Sequence, residues 1–255
     1  MELFYKEYGE GPPLLILHGL LGSGGNWHTL SSRAFGKHFH VYALDQRNHG
    51  RSPHDPVHDY PSMAADLAGF MDRHGLDRAH VLGHSMGGKT AMQFALTYPD
   101  RVDRLVVVDM APKAYPPWQL DILDALRDLD LSAYRSRAEV DAALALRVPS
   151  LPIRQFLLKN LRPDGQGGYT WLPNLEALYR NYDKINVPVE ATGTFDGPVL
   201  FVRGEDSPYI AEDDLPAIRR LFPRAELVTI PEAGHWVHAD APEAFAEAVL
   251  DFLQR

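Results

Sequence analysis

The chain has 255 residues, with 25 Lys+Arg against 34 Asp+Glu and a formal net charge of −9. At 45% hydrophobic and 23% charged it matches an average globular protein, which excludes a disordered or fibrous chain. The acidic balance argues against a nucleic-acid binder and against docking on anionic lipid, and the absence of cysteine removes disulfides, cysteine-ligated zinc and a thiol nucleophile together.

From the N-terminus, Met1–Glu7 carries neither a basic leader nor a long apolar stretch, so no signal peptide is expected and the cytoplasm is the expected location. Compact apolar runs then follow as strand candidates: Leu14–Leu17, Val41–Leu44, His80–Leu82, Leu105–Val108, Val199–Val202 and Leu227–Ile230. None approaches the ~20 residues of a membrane span. Between them the helix candidates are Ser62–His74, Met86–Tyr98, Ala211–Phe222 and Pro242–Leu253; in the last, Phe245, Val249 and Phe252 share one face. This alternation predicts an α/β fold with a mainly parallel sheet. It breaks between Pro112 and Pro188, where Leu120–Leu129 and Arg137–Leu146 look helical and the Pro/Gly-rich stretch Leu161–Pro173 shows no strand pattern. The expected organisation is a core of residues 1–111 and 189–255 interrupted by a helical cap, 112–188.

The most informative peptide is Gly83-His84-Ser85-Met86-Gly87-Gly88, a Gly-x-Ser-x-Gly sequence between a strand and a helix. A serine in such a sharp turn stands proud of the sheet edge, and the residues two before and two after it must be very small. The helix that follows aims its N-terminal N–H groups at a developing oxyanion. Ser85 is therefore the candidate nucleophile. Leu17-His18-Gly19-Leu20-Leu21-Gly22 also follows a strand, and the N–H of Leu20 (or Leu21) with that of Met86 would make an oxyanion hole. His18 is expected to hold that loop. Among twelve histidines, His235 in Gly234-His235-Trp236 has the chain order and post-strand position of a base, with His238 as the fallback. Lys89 is expected to tether the cap or a carboxylate, and His84 to serve as a wall or a support. Trp118, Phe156, Trp171 and Trp236 are candidates for lining an acyl pocket. No metal-ligand spacing or phosphate-binding glycine loop is present, and no cofactor is implied.

Taken with Asp45-x-Arg47-Asn48-His49-Gly50-x-Ser52, these motifs resemble an α/β-hydrolase across essentially the whole chain. Asn48 stands where many relatives have glycine, and asparagine tolerates a left-handed turn. The Arg-Asn-His-Gly form, His-Ser-Met-Gly-Gly-Lys and Asp109-Met110-Ala111-Pro112 resemble the YbfF-type esterases in particular. The superfamily usually places its triad acid in a Gly-x-x-Asp turn; here that turn reads Gly204-Glu205-Asp206-Ser207, with Asp206 one residue early. YbfF-type esterases resemble an arrangement with the acid at Asp109, which is the preferred candidate, Asp206 being the alternative. The resemblance implies a carboxylesterase of short-to-medium acyl esters, with thioester, carbon–carbon bond or perhydrolase chemistry, or a non-catalytic ligand receptor, as the other readings. Ser85 argues against dehalogenases and epoxide hydrolases, which need a carboxylate nucleophile.

Overall fold

The computed structural model describes residues 1–189, 191 and 193–255. The strands are β1 (Tyr5–Tyr8), β2 (Pro13–Leu17), β3 (His40–Leu44), β4 (Ala79–His84), β5 (Val102–Val108), β6 (Leu161–Pro163), β7 (Tyr169–Trp171), β8 (Val199–Gly204) and β9 (Ala225–Ile230). Seven of them form one sheet in the order β1-β3-β2-β4-β5-β8-β9, in which only β1 runs antiparallel to its neighbour. This is the expected α/β architecture with a mainly parallel sheet.

The pleat explains why the strands read as unbroken apolar runs. Leu15, Leu17, Val81, Leu105, Val107 and Phe201 enter one core, while Leu14, Ile16, Leu82, Val106, Val108 and Leu200 enter another on the opposite face. Successive side chains point to opposite faces, so a sheet covered on both sides needs an apolar residue at every position. Helices α2 (Tyr60–Arg73), α3 (Met86–Thr97) and α9 (Leu215–Leu221) cover the first face; α1 (His28–Arg33) and α11 (Pro242–Leu253) cover the second. Helix α2 starts two residues before the expected position because the Asp59 carboxylate caps it, accepting from the Ser62 N–H at 2.9 Å. Helix α9 is shorter than expected, since Glu212–Asp214 form a separate 3-10 turn.

Between β5 and β8 lie α4 (Leu120–Arg127), α5 (Arg137–Leu144), α6 (Leu151–Leu158), α7 (Leu175–Arg180) and α8 (Tyr182–Ile185). Leu123, Leu126, Leu144, Leu157 and Leu178 pack together with Leu21, Tyr60 and Met86 of the sheet's carboxyl edge. The stretch Leu161–Pro173 corrects the expectation of no strand: β6 and β7 pair antiparallel, Leu161 opposite Trp171 and Pro163 opposite Tyr169. Three-residue strands are too short to show alternation. Their turn is held by the Asp164 carboxylate, which accepts from the N–H groups of Gln166 (2.7 Å) and Gly168 (3.0 Å). Among the described residues no helix is long and apolar enough to cross a membrane.

Candidate active site

Parallel strands all end on one edge, and register decides what meets there. His84 is paired with Val108, so the residues that follow, Ser85 and Asp109, leave adjacent strands at the same height. The Ser85 N–H donates to the Val108 carbonyl (3.1 Å) and the Asp109 N–H to that of Val202 (2.7 Å), which extends the ladder one step past the strands. Both residues then turn sharply, with φ of 55° at Ser85 and 50° at Asp109. Such a backbone is strained for a side chain other than glycine and persists because the surrounding structure enforces it. The two glycines flanking Ser85 are required sterically: a Cβ at Gly83 would overlap the Gly87 carbonyl, and one at Gly87 would overlap that of Leu17.

His235 reaches this edge from the loop after β9. Its Nε2 accepts from the Ser85 hydroxyl at 3.1 Å, and its Nδ1 donates to Asp109 Oδ2 at 2.7 Å. Asp109 is wholly buried, with its carboxylate also accepting from the Ser207 hydroxyl and from the Gly204 N–H at 3.2 Å. Asp206 is exposed; its N–H donates to the Ala233 carbonyl, and its carboxylate meets no histidine among the described residues. His238 does not meet Ser85 either, being stacked on Trp27. His84 Nε2 donates to the His235 carbonyl at 2.9 Å and so supports the loop. Burial holds the His84 pKa well below the ordinary histidine value, so this support is neutral.

The loop after β2 is fixed by two further imidazoles. The Gln46 N–H donates to His18 Nε2 (3.0 Å), which leaves Nδ1 to donate to the Gly19 carbonyl (2.8 Å). His49 Nδ1 donates to the Arg47 carbonyl (3.0 Å), and its Nε2 accepts from the Leu21 N–H (3.1 Å). Burial depresses these pKa values to about 4 for His18 and about 3 for His49, so both rings stay neutral acceptors. The Leu21 N–H is thereby consumed. Among the described residues the N–H groups of Leu20 and Met86 meet no acceptor, and both residues border the space beside Ser85. The Asp45–Ser52 motif builds the turn carrying His49: Asp45 accepts from Gly24 (2.7 Å) and Arg51 (2.8 Å), and Asn48 takes the left-handed φ of 64°.

A cavity of about 530 Å³ opens over Ser85 and His235. Trp118, Phe156 and Trp236 line it with Leu20, Ile122 and Ile153. Trp171 does not: its indole N–H is spent on the Leu126 carbonyl (3.1 Å) and its ring packs between the helices that follow β5. Lys89 donates from Nζ to the Val187 carbonyl at 2.6 Å, joining α3 to the segment that returns to β8, and burial lowers its pKa to about 8. Besides the Ser207 hydroxyl on Asp109, two contacts were not anticipated from sequence. Tyr209 stacks on His235 with centroids 3.8 Å apart, and Asn160 Nδ2 donates to the Leu21 carbonyl at 2.6 Å. Among the described residues no group of three or more histidines and carboxylates is arranged to hold a metal ion.

An elbow serine on a parallel sheet, covered by helices from one long excursion, defines a hydrolase fold, and the chain belongs to the α/β hydrolase fold family, whose profile matches residues 12–242. It is 39% identical to the sn-1-specific diacylglycerol lipase ABHD11 of Danio rerio over 254 residues, 96% of this chain and 80% of that protein. It is 37% identical to the esterase YbfF of Escherichia coli strain K12 over 242 residues, 94% of this chain and 92% of that one. A solved marine microorganism esterase matches it with a TM-score of 0.96 at 41% identity, over 98% of this chain and 99% of the other.

Proposed function

We propose that the chain is a serine hydrolase of carboxylic esters that works through an acyl-enzyme, with Ser85 as nucleophile, His235 as general base and acid, and Asp109 as the carboxylate that orients His235. The observation that carries this reading is the single imidazole bridging Ser85 at 3.1 Å and Asp109 at 2.7 Å. Relatives named lipase and esterase support the ester bond as the target.

His235 Nε2 takes the Ser85 proton as Oγ attacks the ester carbonyl, while Asp109 holds Nδ1–H and so keeps Nε2 an acceptor. The oxyanion forms beside the Leu20 and Met86 N–H groups; each such donor contributes about 3–4 kcal/mol in the transition state. His235 returns its proton to the leaving alcohol, and water then cleaves the acyl-enzyme by the same steps in reverse. Residues 112–188 act as a cap that walls the substrate cavity, and Trp118, Phe156 and Trp236 contact the substrate's apolar part. The cytoplasm as the place of action is part of the proposal and rests on the sequence alone.

The cavity is largely apolar and closed on several sides, which suits short-to-medium acyl chains. Initial rates on p-nitrophenyl esters of increasing chain length, set against the matching acyl-CoA thioesters, test this. The proposal expects kcat/KM to peak at a short or medium ester. Uniformly faster thioester cleavage contradicts it.

A further inference from the structure

Most of the cavity wall is apolar, but His238, from the short helix α10 (Val237–Asp240), also borders it. Its ring stacks on Trp27 with centroids 4.2 Å apart and 15° between planes, and meets His84 edge-on at 4.8 Å. It is 9% exposed, and its side chain makes no hydrogen bond among the described residues. An apolar ring would fill this place without the cost of burying an unpaired polar group, so packing alone does not account for an imidazole here.

A neutral imidazole carries one proton, and its surroundings choose the nitrogen. Nδ1 is sealed off and has no partner among the described residues. A proton there would make a buried donor with no acceptor, whereas Nε2 is the ring nitrogen left on the cavity side. Burial, with His235 and the Lys159 ammonium nearby, pushes the pKa down to about 3, so the ring stays uncharged. Of the charged residues near this end of the cavity, Asp240 is already engaged by the Gly234 N–H at 2.9 Å. The feature is thus a fixed, neutral N–H donor.

Its position relative to the chemistry is also defined. The His84 ring lies 4.7 Å from that of His235 and 4.8 Å from that of His238, so the three imidazoles form a row along one wall. An ester's leaving oxygen must lie at His235 Nε2 to receive its proton, and an alcohol portion that follows this wall brings its own oxygens to His238.

We propose that His238 Nε2–H donates a hydrogen bond to an uncharged oxygen on the alcohol portion of the substrate, so that the site selects esters of polyhydroxylated alcohols over esters of plain alkanols. This rests on the ester-hydrolase reading given above. The selection comes from pairing: an alkanol ester leaves the buried donor without an acceptor, a discrimination that apolar contact alone supplies poorly.

The test compares 1-butyrylglycerol with propyl butyrate, which share acyl group and carbon skeleton and differ in the hydroxyls, by pH-stat titration of the released acid. The quantity read is the ratio of their kcat/KM values. In His238→Phe, which keeps the stack on Trp27 without the donor, the ratio falls about ten-fold; in His238→Gln, which retains an N–H donor, part of it returns. If thermal unfolding shows that His238→Phe does not fold, His238→Gln against His238→Leu gives the same comparison. An unchanged ratio, including an equal loss on both esters, overturns the proposal and leaves the ester-hydrolase reading intact. Failure of the wild-type chain to cleave either ester overturns that reading itself.

Discussion

Replacing Asp109 with asparagine keeps the shape of a wholly buried side chain and removes its charge. The carboxylate accepts three hydrogen bonds, from His235 Nδ1–H, the Ser207 hydroxyl and the Gly204 N–H. An asparagine has one acceptor oxygen and an NH2 group, and turning that NH2 toward His235 forces the imidazole proton onto Nε2. Nε2 then faces Ser85 as a donor and cannot take its proton. In triads where this exchange is known, kcat falls about 10⁴-fold, or about 5 kcal/mol of transition-state stabilisation. The same loss is expected in Asp109→Asn, measured as p-nitrophenyl butyrate hydrolysis, with thermal unfolding as the check on folding. Asp206→Asn, whose parent carboxylate faces solvent, is expected to stay within about two-fold, as exposed charges far from the chemistry contribute little. An Asp109→Asn protein with more than a tenth of wild-type kcat, or a collapse confined to Asp206→Asn, would show that Asp109 does not orient His235.

Ser207→Ala removes one donor from a buried carboxylate, and hydrogen bonds to charged groups contribute about 1.5–3 kcal/mol; kcat is expected to fall about ten-fold, and an unchanged kcat shows that Ser207 plays no part in holding Asp109. Lys89 gives a pH signature. Burial lowers its pKa from 10.5 to about 8, so between those values the unfolded chain holds the proton that the folded chain has lost, and stability rises with pH. Denaturant unfolding of wild type against Lys89→Met is expected to show the difference moving in favour of wild type by about 3 kcal/mol across that window, at about 1.36 kcal/mol per pKa unit. A pH-independent difference contradicts the burial of the ammonium.

What the sequence makes legible follows the range of each interaction. The elbow at Ser85 is a local feature: Gly83 and Gly87 are demanded by backbone atoms a few residues away or on the adjacent loop, so the motif carries its own explanation. The six parallel strands are legible because a covered parallel strand is apolar at nearly every position, and α11 because Phe245, Val249 and Phe252 recur on one face, whereas β1, a partly exposed antiparallel edge strand, carries no apolar run and was not expected. The choice of acid is different in kind. Asp109 meets His235 because β5 lies next to β4 in the sheet and His84 pairs with Val108, whereas Asp206 follows β8, one strand further away. Strand order and register are properties of the assembled sheet, which no local motif around Asp109 or Asp206 carries. Ser207 and Tyr209 escaped for the same reason, since their partners Asp109 and His235 are distant in the chain. The hairpin of β6 and β7 escaped for the opposite one: its strands are three residues each, too short to show alternation on either side of a glycine-rich turn. Of the four aromatics expected in a pocket, three line the cavity and Trp171 faces inward, a distinction of direction that composition does not carry.

If His235 makes the Ser85 hydroxyl nucleophilic, a fluorophosphonate reacts there, and intact-protein mass spectrometry after exposure to one reads the outcome. One adduct per wild-type chain is expected, mapped to the peptide containing Ser85, with none in Ser85→Ala and labelling slowed by orders of magnitude in His235→Ala. An unlabelled wild-type chain, or an adduct that persists in Ser85→Ala, would contradict it.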